Sequence, residues 1–205
     1  MLHFYYKTFL ENKVEVLYRS HNILSPDHID IDLIADVFGI TIVSLPGAKE
    51  EGIWDDYRAA VFLNANKPSI ESREAFFHEL SHILLHTGNQ LSMNRGLLEL
   101  QEEQANHFQL YAALPFYMIQ QIHLPSHEAD IIHVLSSEFR VTHQLARKRW
   151  EQIQRRVFSG KQQLKFENEV RNQYRRADPS NWSDETKSLY ELAIHRKQQK
   201  ELHAK

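Results

Sequence analysis

His78-Glu79-Leu80-Ser81-His82 sets two imidazoles four residues apart, with a carboxylate beside the first. On an α-helix, residues i and i+4 project from one face, so both rings can bind a single cation at about 2.0–2.1 Å. Glu79 is then within reach of a water on that cation and can serve as general base, because zinc lowers such a water's pKa to about 7. Composition alone predicts this pattern roughly 0.07 times in a chain with these histidine and glutamate counts. The chain has 13 His and 0 Cys among 205 residues. Lack of cysteine excludes a disulfide framework, a thiolate zinc finger, an iron–sulfur cluster and a cysteine nucleophile. A third metal ligand must therefore be a carboxylate or another histidine, and zinc is the expected ion, although manganese would use similar ligands.

His86 continues the 78, 82 series but lies eight residues from His78. That is about 12 Å along a straight helix, too far for both to share one tetrahedral ion. His86 is expected as a charge partner at the helix C-terminus or as a group behind the ligands. The next helical segment offers Glu102 and Glu103. Ala105, Phe108 and Ala112 form a small, apolar packing strip, and Glu102 points along it toward a packed neighbour. Glu103 lies about 100° further round and should face outward. Glu102 is the favoured ligand and Glu103 the alternative. On the same helix, Asn106 could orient a ligand, and His107 with Tyr111 could polarise a substrate carbonyl. For that pair a plain helix-surface role is favoured.

These residues need elements to hold them. A mixed segment over residues 2–20 is predicted helical, with Phe9, Val14, Val16 and Leu17 on one face. Asp30 or Asp32 caps a short helix through Phe38, stopped by Gly39. Ile40–Val43 is β-branched, and residues 52–57 and 59–64 read as two further strands. The strand just before the active helix is a candidate edge for pairing with an extended substrate. From Ser69 the apolar period becomes helical, through Phe76, Leu80, Ile83 and Leu84, with Gly88 as a stop and a polar loop over 87–95. Further helices are predicted over 97–114, ended by Pro115, and over 116–122, 127–139 and 142–158. Residues 127–156 have a helix-turn-helix rhythm and carry Arg147, Lys148, Arg149, Arg155 and Arg156. A packed hairpin completing the domain is favoured over a DNA reader.

The net charge of -3 gives no footprint for nucleic acid, and direct binding to it is not expected. No apolar run approaches the roughly 20 residues of a membrane span, and Met1–Lys7 does not resemble a signal peptide. A cytoplasmic protein without membrane contact is expected. Residues 161–205 hold 10 Lys and Arg against 7 Asp and Glu, so this stretch is +3 and the rest is -6. The expected organisation is a domain over 1–158 and a charged, partly helical extension over 159–205, in an α+β, mostly helical fold.

Phe77–His86, followed by Gln101-Glu102-Glu103-Gln104-Ala105-Asn106-His107-Phe108, resembles the ImmA/IrrE family of metallopeptidases. That family's pattern is HELxHxLLH and then ExxANxFA, with a proline after the second helix. Ala113-Leu114-Pro115 fits the last step. Ser81 stands where glycine or alanine is usual, and Gln109 where alanine is usual. The upstream segments Ile40–Ile42 and Val61–Asn64 also resemble the family, and the likeness covers about residues 10–158. It implies a zincin-like (gluzincin) domain, with a small three-stranded sheet before the active helix. It also implies His78, His82 and Glu102 on zinc, and Glu79 as base. The implied activity is cleavage of a helix-turn-helix repressor by a phage or mobile-element anti-repressor. A non-catalytic module of the same fold that binds a repressor or DNA is the alternative.

Overall fold

The computed structural model describes residues 2–86, 94–173 and 179–203. Gly88 and most of the expected 87–95 loop lie outside the described residues. Contacts divide the chain into Met1–Phe158 and Ser159–Lys205.

The first unit begins with helix α1 (Phe9–Ser20), capped by Thr8, whose hydroxyl accepts the Glu11 N–H at 3.2 Å. Helix α2 (Ile31–Phe38) starts at Asp30, whose carboxylate accepts the Asp32 and Leu33 N–H groups. It ends at Gly39, where φ is 65° and a side chain would be strained. Three strands follow: β1 (Ile40–Leu45), β2 (Glu51–Trp54) and β3 (Ala59–Asn64). Their order in the sheet is β1-β3-β2, with β1 parallel and β2 antiparallel to β3. The strand preceding the active helix is therefore central, which corrects the expectation that it forms an edge. The edges are β1 and β2. Val61 and Leu63 turn the inner face of β3 into the core.

Helix α3 (Ser69–Leu85) packs on that face and on α4 (Arg95–Ala113). Phe76, Phe77 and Leu80 from α3 are buried with Ala105, Phe108 and Ala112 from α4. The alanines at 105 and 112 keep the α4 packing strip narrow, as the sequence suggested. Two departures from the family pattern have local causes. The buried Ser81 hydroxyl donates to the His78 carbonyl at 2.6 Å, so it satisfies itself within its own helix. The Gln109 amide donates to the Glu74 carbonyl at 2.8 Å and ties α4 to α3.

Helices α5 (Phe116–Ile119), α6 (Glu128–Phe139) and α7 (His143–Gln173) complete this part, and Glu74 Oε1 accepts the Thr142 N–H at 2.5 Å beside the α7 start. Two basic residues of the expected hairpin prove to be internal. Arg149 is 0% exposed and its guanidinium pairs with Glu11 of α1, as does Arg156 at 2.7 Å. Arg149 also donates to the Leu114 carbonyl at 3.0 Å. Neither belongs to a surface for DNA. Within α1, Phe9 and Val16 face outward, whereas Val14, Tyr18 and Glu11 are buried, because the Arg149 and Arg156 charges draw Glu11 inward. Helix α7 runs to Gln173 rather than stopping near 158, since the residues after Gly160 are good helix formers.

The second unit holds the remainder of α7 and helix α8 (Asp184–His203). Its apolar side chains, such as Leu164, Phe166, Leu189 and Leu192, are exposed. Among the described residues, no helix is long and apolar enough to cross a membrane.

Candidate metal centre

The middle of α3 presents His78 and His82 on one face, as their spacing requires, with Nε2 atoms 3.3 Å apart. Glu102 reaches this pair from α4. Its Oε2 lies 3.4 Å from His78 Nε2 and its Oε1 3.4 Å from His82 Nε2. Ligands at the corners of a tetrahedron, each about 2.0–2.1 Å from an ion, stand about 3.3–3.4 Å from one another. The three side chains thus fit a single small divalent ion, and among the described residues they form the one His/Asp/Glu group of this kind. His82 is buried, His78 half-buried and Glu102 open to solvent.

The electrostatics suit ligation. The His82 pKa is held down to about 4, first by burial and then by the neighbouring His78. Its ring is unprotonated at neutral pH and keeps a lone pair for a cation. Burial pushes the Glu79 carboxyl above the usual range, opposed by the Gly52 N–H and then by His78. Gly52 lies on β2, and its N–H donates to Glu79 Oε2 at 2.9 Å. The sequence signalled a strand over 52–57, of which β2 keeps only Gly52–Trp54 and adds Glu51, and nothing there marked Gly52 as a neighbour of Glu79.

The other expected residues fall elsewhere. Glu103 is exposed on α4 and is not part of the group. Asn106 lines a cleft beside His78, but its amide donates to the Glu102 backbone carbonyl at 2.8 Å rather than to the carboxylate. His107 and Tyr111 stack on each other with centroids 6.2 Å apart. Tyr111 is 2% exposed and its hydroxyl is buried against Arg156 and Gln152, which corrects the favoured helix-surface role at Tyr111 and engages the hydroxyl away from the metal ligands. Nine residues separate Tyr111 from Glu102, which is half a turn out of phase on a helix. His86 is buried at the end of α3 with its ring 5.3 Å from that of His82, and burial holds its pKa down. It is a neutral group behind the ligands and not a charge partner for the helix end.

Two clefts meet at His78 and Glu79. One, of about 190 Å³, runs between β2 and the ligands and includes Trp54. The other, of about 520 Å³, runs between α3, α4 and the α7 start. Besides Glu79 and Glu102, their walls carry Glu50, Glu51, Glu71 and Glu74 against Lys49 and Lys67.

A family profile described as Peptidase M78, IrrE N-terminal-like domain, matches residues 35–151, which include the end of α2, the sheet, α3 and α4. Phage-like element PBSX protein XkdA of Bacillus subtilis (strain 168) is 36% identical over 155 residues, covering 74% of this chain and 76% of its own length. Uncharacterized protein YqaB of the same strain is 28% identical over 149 residues, covering 71% of this chain and 84% of its own length.

Proposed function

The chain belongs to the M78 peptidase family of IrrE N-terminal-like domains, and from that membership we propose that it is a zinc-dependent endopeptidase of zincin-like (gluzincin) design. The observation that carries this reading is the His78–His82–Glu102 triangle, with edges of 3.3–3.4 Å and the Glu79 carboxylate next to it in sequence. His78, His82 and Glu102 would hold the ion. When bound, zinc would supply Lewis-acid chemistry for a carbonyl and would lower the pKa of water to about 7. Glu79 accepts a proton at its carboxylate and returns it to the leaving amine nitrogen. Its raised pKa makes Glu79 a stronger base for the first of these transfers than an exposed glutamate. Strand β2, at the sheet edge along one cleft, offers backbone groups to an extended substrate.

The substrate we assign is a helix-turn-helix repressor, cleaved in the cytoplasm during induction of a phage or mobile element. The XkdA name places that relative in a phage-like element. The excess of carboxylates along the clefts suits a basic, DNA-binding protein and repels DNA itself. The test is Glu79→Gln, co-expressed with a helix-turn-helix repressor encoded beside this gene. The variant should retain metal by elemental analysis and lose cleavage. Cleavage at the wild-type rate would overturn the peptidase mechanism.

A further inference from the structure

A helix by itself does not aim Glu79. The residue after His78 is rotated about 100° from it, so the face that presents the imidazoles does not fix the carboxylate. Support must come from outside α3. Among the described residues, the hydrogen bond to the Glu79 carboxylate comes from Gly52 of β2, at 2.9 Å. Gly52 sits opposite Val61 of β3, with Glu51 opposite Phe62 and Ile53 opposite Ala60. In an antiparallel pair, alternate residues turn their N–H groups away from the partner strand. Gly52 is such a residue, and its N–H is spared for Glu79.

The same residue is also where the strand lies closest to the helix. A Cβ at position 52 would stand 3.0 Å from the Glu79 backbone carbonyl oxygen and 3.2 and 3.3 Å from Ile83 Cγ1 and Cδ1. Real Cβ atoms rarely come so close, and backbone cannot yield as a flexible side chain can. No positive φ is recorded for Gly52, so glycine is needed there for space and not for backbone freedom. Any side chain at 52 pushes the donor away from the residue it holds.

We propose that Gly52 is a positioning residue, whose backbone N–H holds the Glu79 carboxylate at the metal centre and whose missing side chain allows β2 to come close enough to do so. This rests on the reading of His78, His82 and Glu102 as a metal centre with Glu79 as its base. The role is structural in origin but specific in effect. A displaced β2 releases Glu79 while leaving His78, His82 and Glu102 on their own helices.

The test has two arms. In the metal-free chain labelled with 15N, amide exchange at residue 52 is compared between wild type and Glu79→Ala. Exchange should be about tenfold faster in the variant, the effect of losing one charge-assisted hydrogen bond. Unchanged exchange overturns the proposal, and this arm leaves Gly52 itself untouched. In the second arm, cobalt(II) replaces zinc as a coloured probe. Gly52→Ala should bind cobalt with little change in affinity, yet its visible spectrum should move in the same direction as that of Glu79→Gln. Trimming Ile83 in Gly52→Ala/Ile83→Val should bring the spectrum back toward wild type. A Gly52→Ala spectrum identical to wild type, beside a shifted Glu79→Gln spectrum, overturns the role of Gly52 alone. Failure of the wild-type chain to bind cobalt overturns the metal-centre reading instead, and the exchange arm still decides whether Gly52 holds Glu79.

Discussion

His82 Nε2 lies 3.4 Å from Glu102 Oε1, although the two residues come from different helices. The contact depends on the close approach of α4 to α3 over Ala105, which is fully buried. Only one of two adjacent glutamates can make it, because the next residue is rotated by about 100°.

Glu102→Ala should therefore lose metal, and Glu103→Ala should keep it. Loss of a direct ligand is expected to exceed the roughly 10–100-fold penalty for losing an outer partner. Elemental analysis after dialysis and zinc titration calorimetry measure both. Metal retained in Glu102→Ala and lost in Glu103→Ala would reverse the helix phasing.

Tyr111→Phe should leave zinc binding and cleavage unchanged while lowering the melting temperature. The hydroxyl removed is bonded to Arg156 and Gln152 and stands outside the clefts at His78. A hydrogen bond to a charged group contributes about 1.5–3 kcal/mol. A large fall in turnover at full stability would return Tyr111 to the reaction.

Glu11→Ala should destabilise the chain by about 3–5 kcal/mol, the usual effect of removing one partner from a buried ion pair. Glu11 is 2% exposed and is bonded by Arg149, Arg156 and Tyr5. Its loss leaves two guanidinium groups near an uncompensated hole, one of them wholly buried. Urea unfolding followed by circular dichroism gives the value. A change below about 1 kcal/mol would mean that the pair is hydrated in solution.

Alkaline pH should unfold the protein steeply. Burial pushes the Tyr5 pKa up to about 12, and burial also raises Tyr18 and Tyr117. The Tyr18 and Tyr117 hydroxyls donate to the carbonyls of Ala112 and Ile23 at 3.0 and 2.6 Å, bonds that require the proton. In the unfolded chain these groups ionise near pH 10. The folded state then binds more protons than the unfolded one, so stability is intact below about pH 10 and is lost as pH rises through about 12. Tyrosinate absorbance should show these three of the 8 tyrosines titrating together with unfolding. Their smooth titration in a folded chain would contradict the burial.

The sequence by itself determined what depends on short spacing. His78 and His82 share a face because four residues make about one helical turn. Gly39 ends α2 because a left-handed residue there favours glycine. Even Glu102 was legible, since a small-residue strip shows which side of a helix packs. What the tertiary structure decided was every relation between elements distant in the chain. Strand order placed β3 at the centre and β2 at one of the two edges, and brought Gly52 to Glu79, 27 residues away. Packing against α1 turned Arg149 and Arg156 from surface charges into internal partners of Glu11, and took Tyr111 with them. Local periodicity says which residues share a face. It does not say what that face meets, because the answer depends on the packing of the whole core.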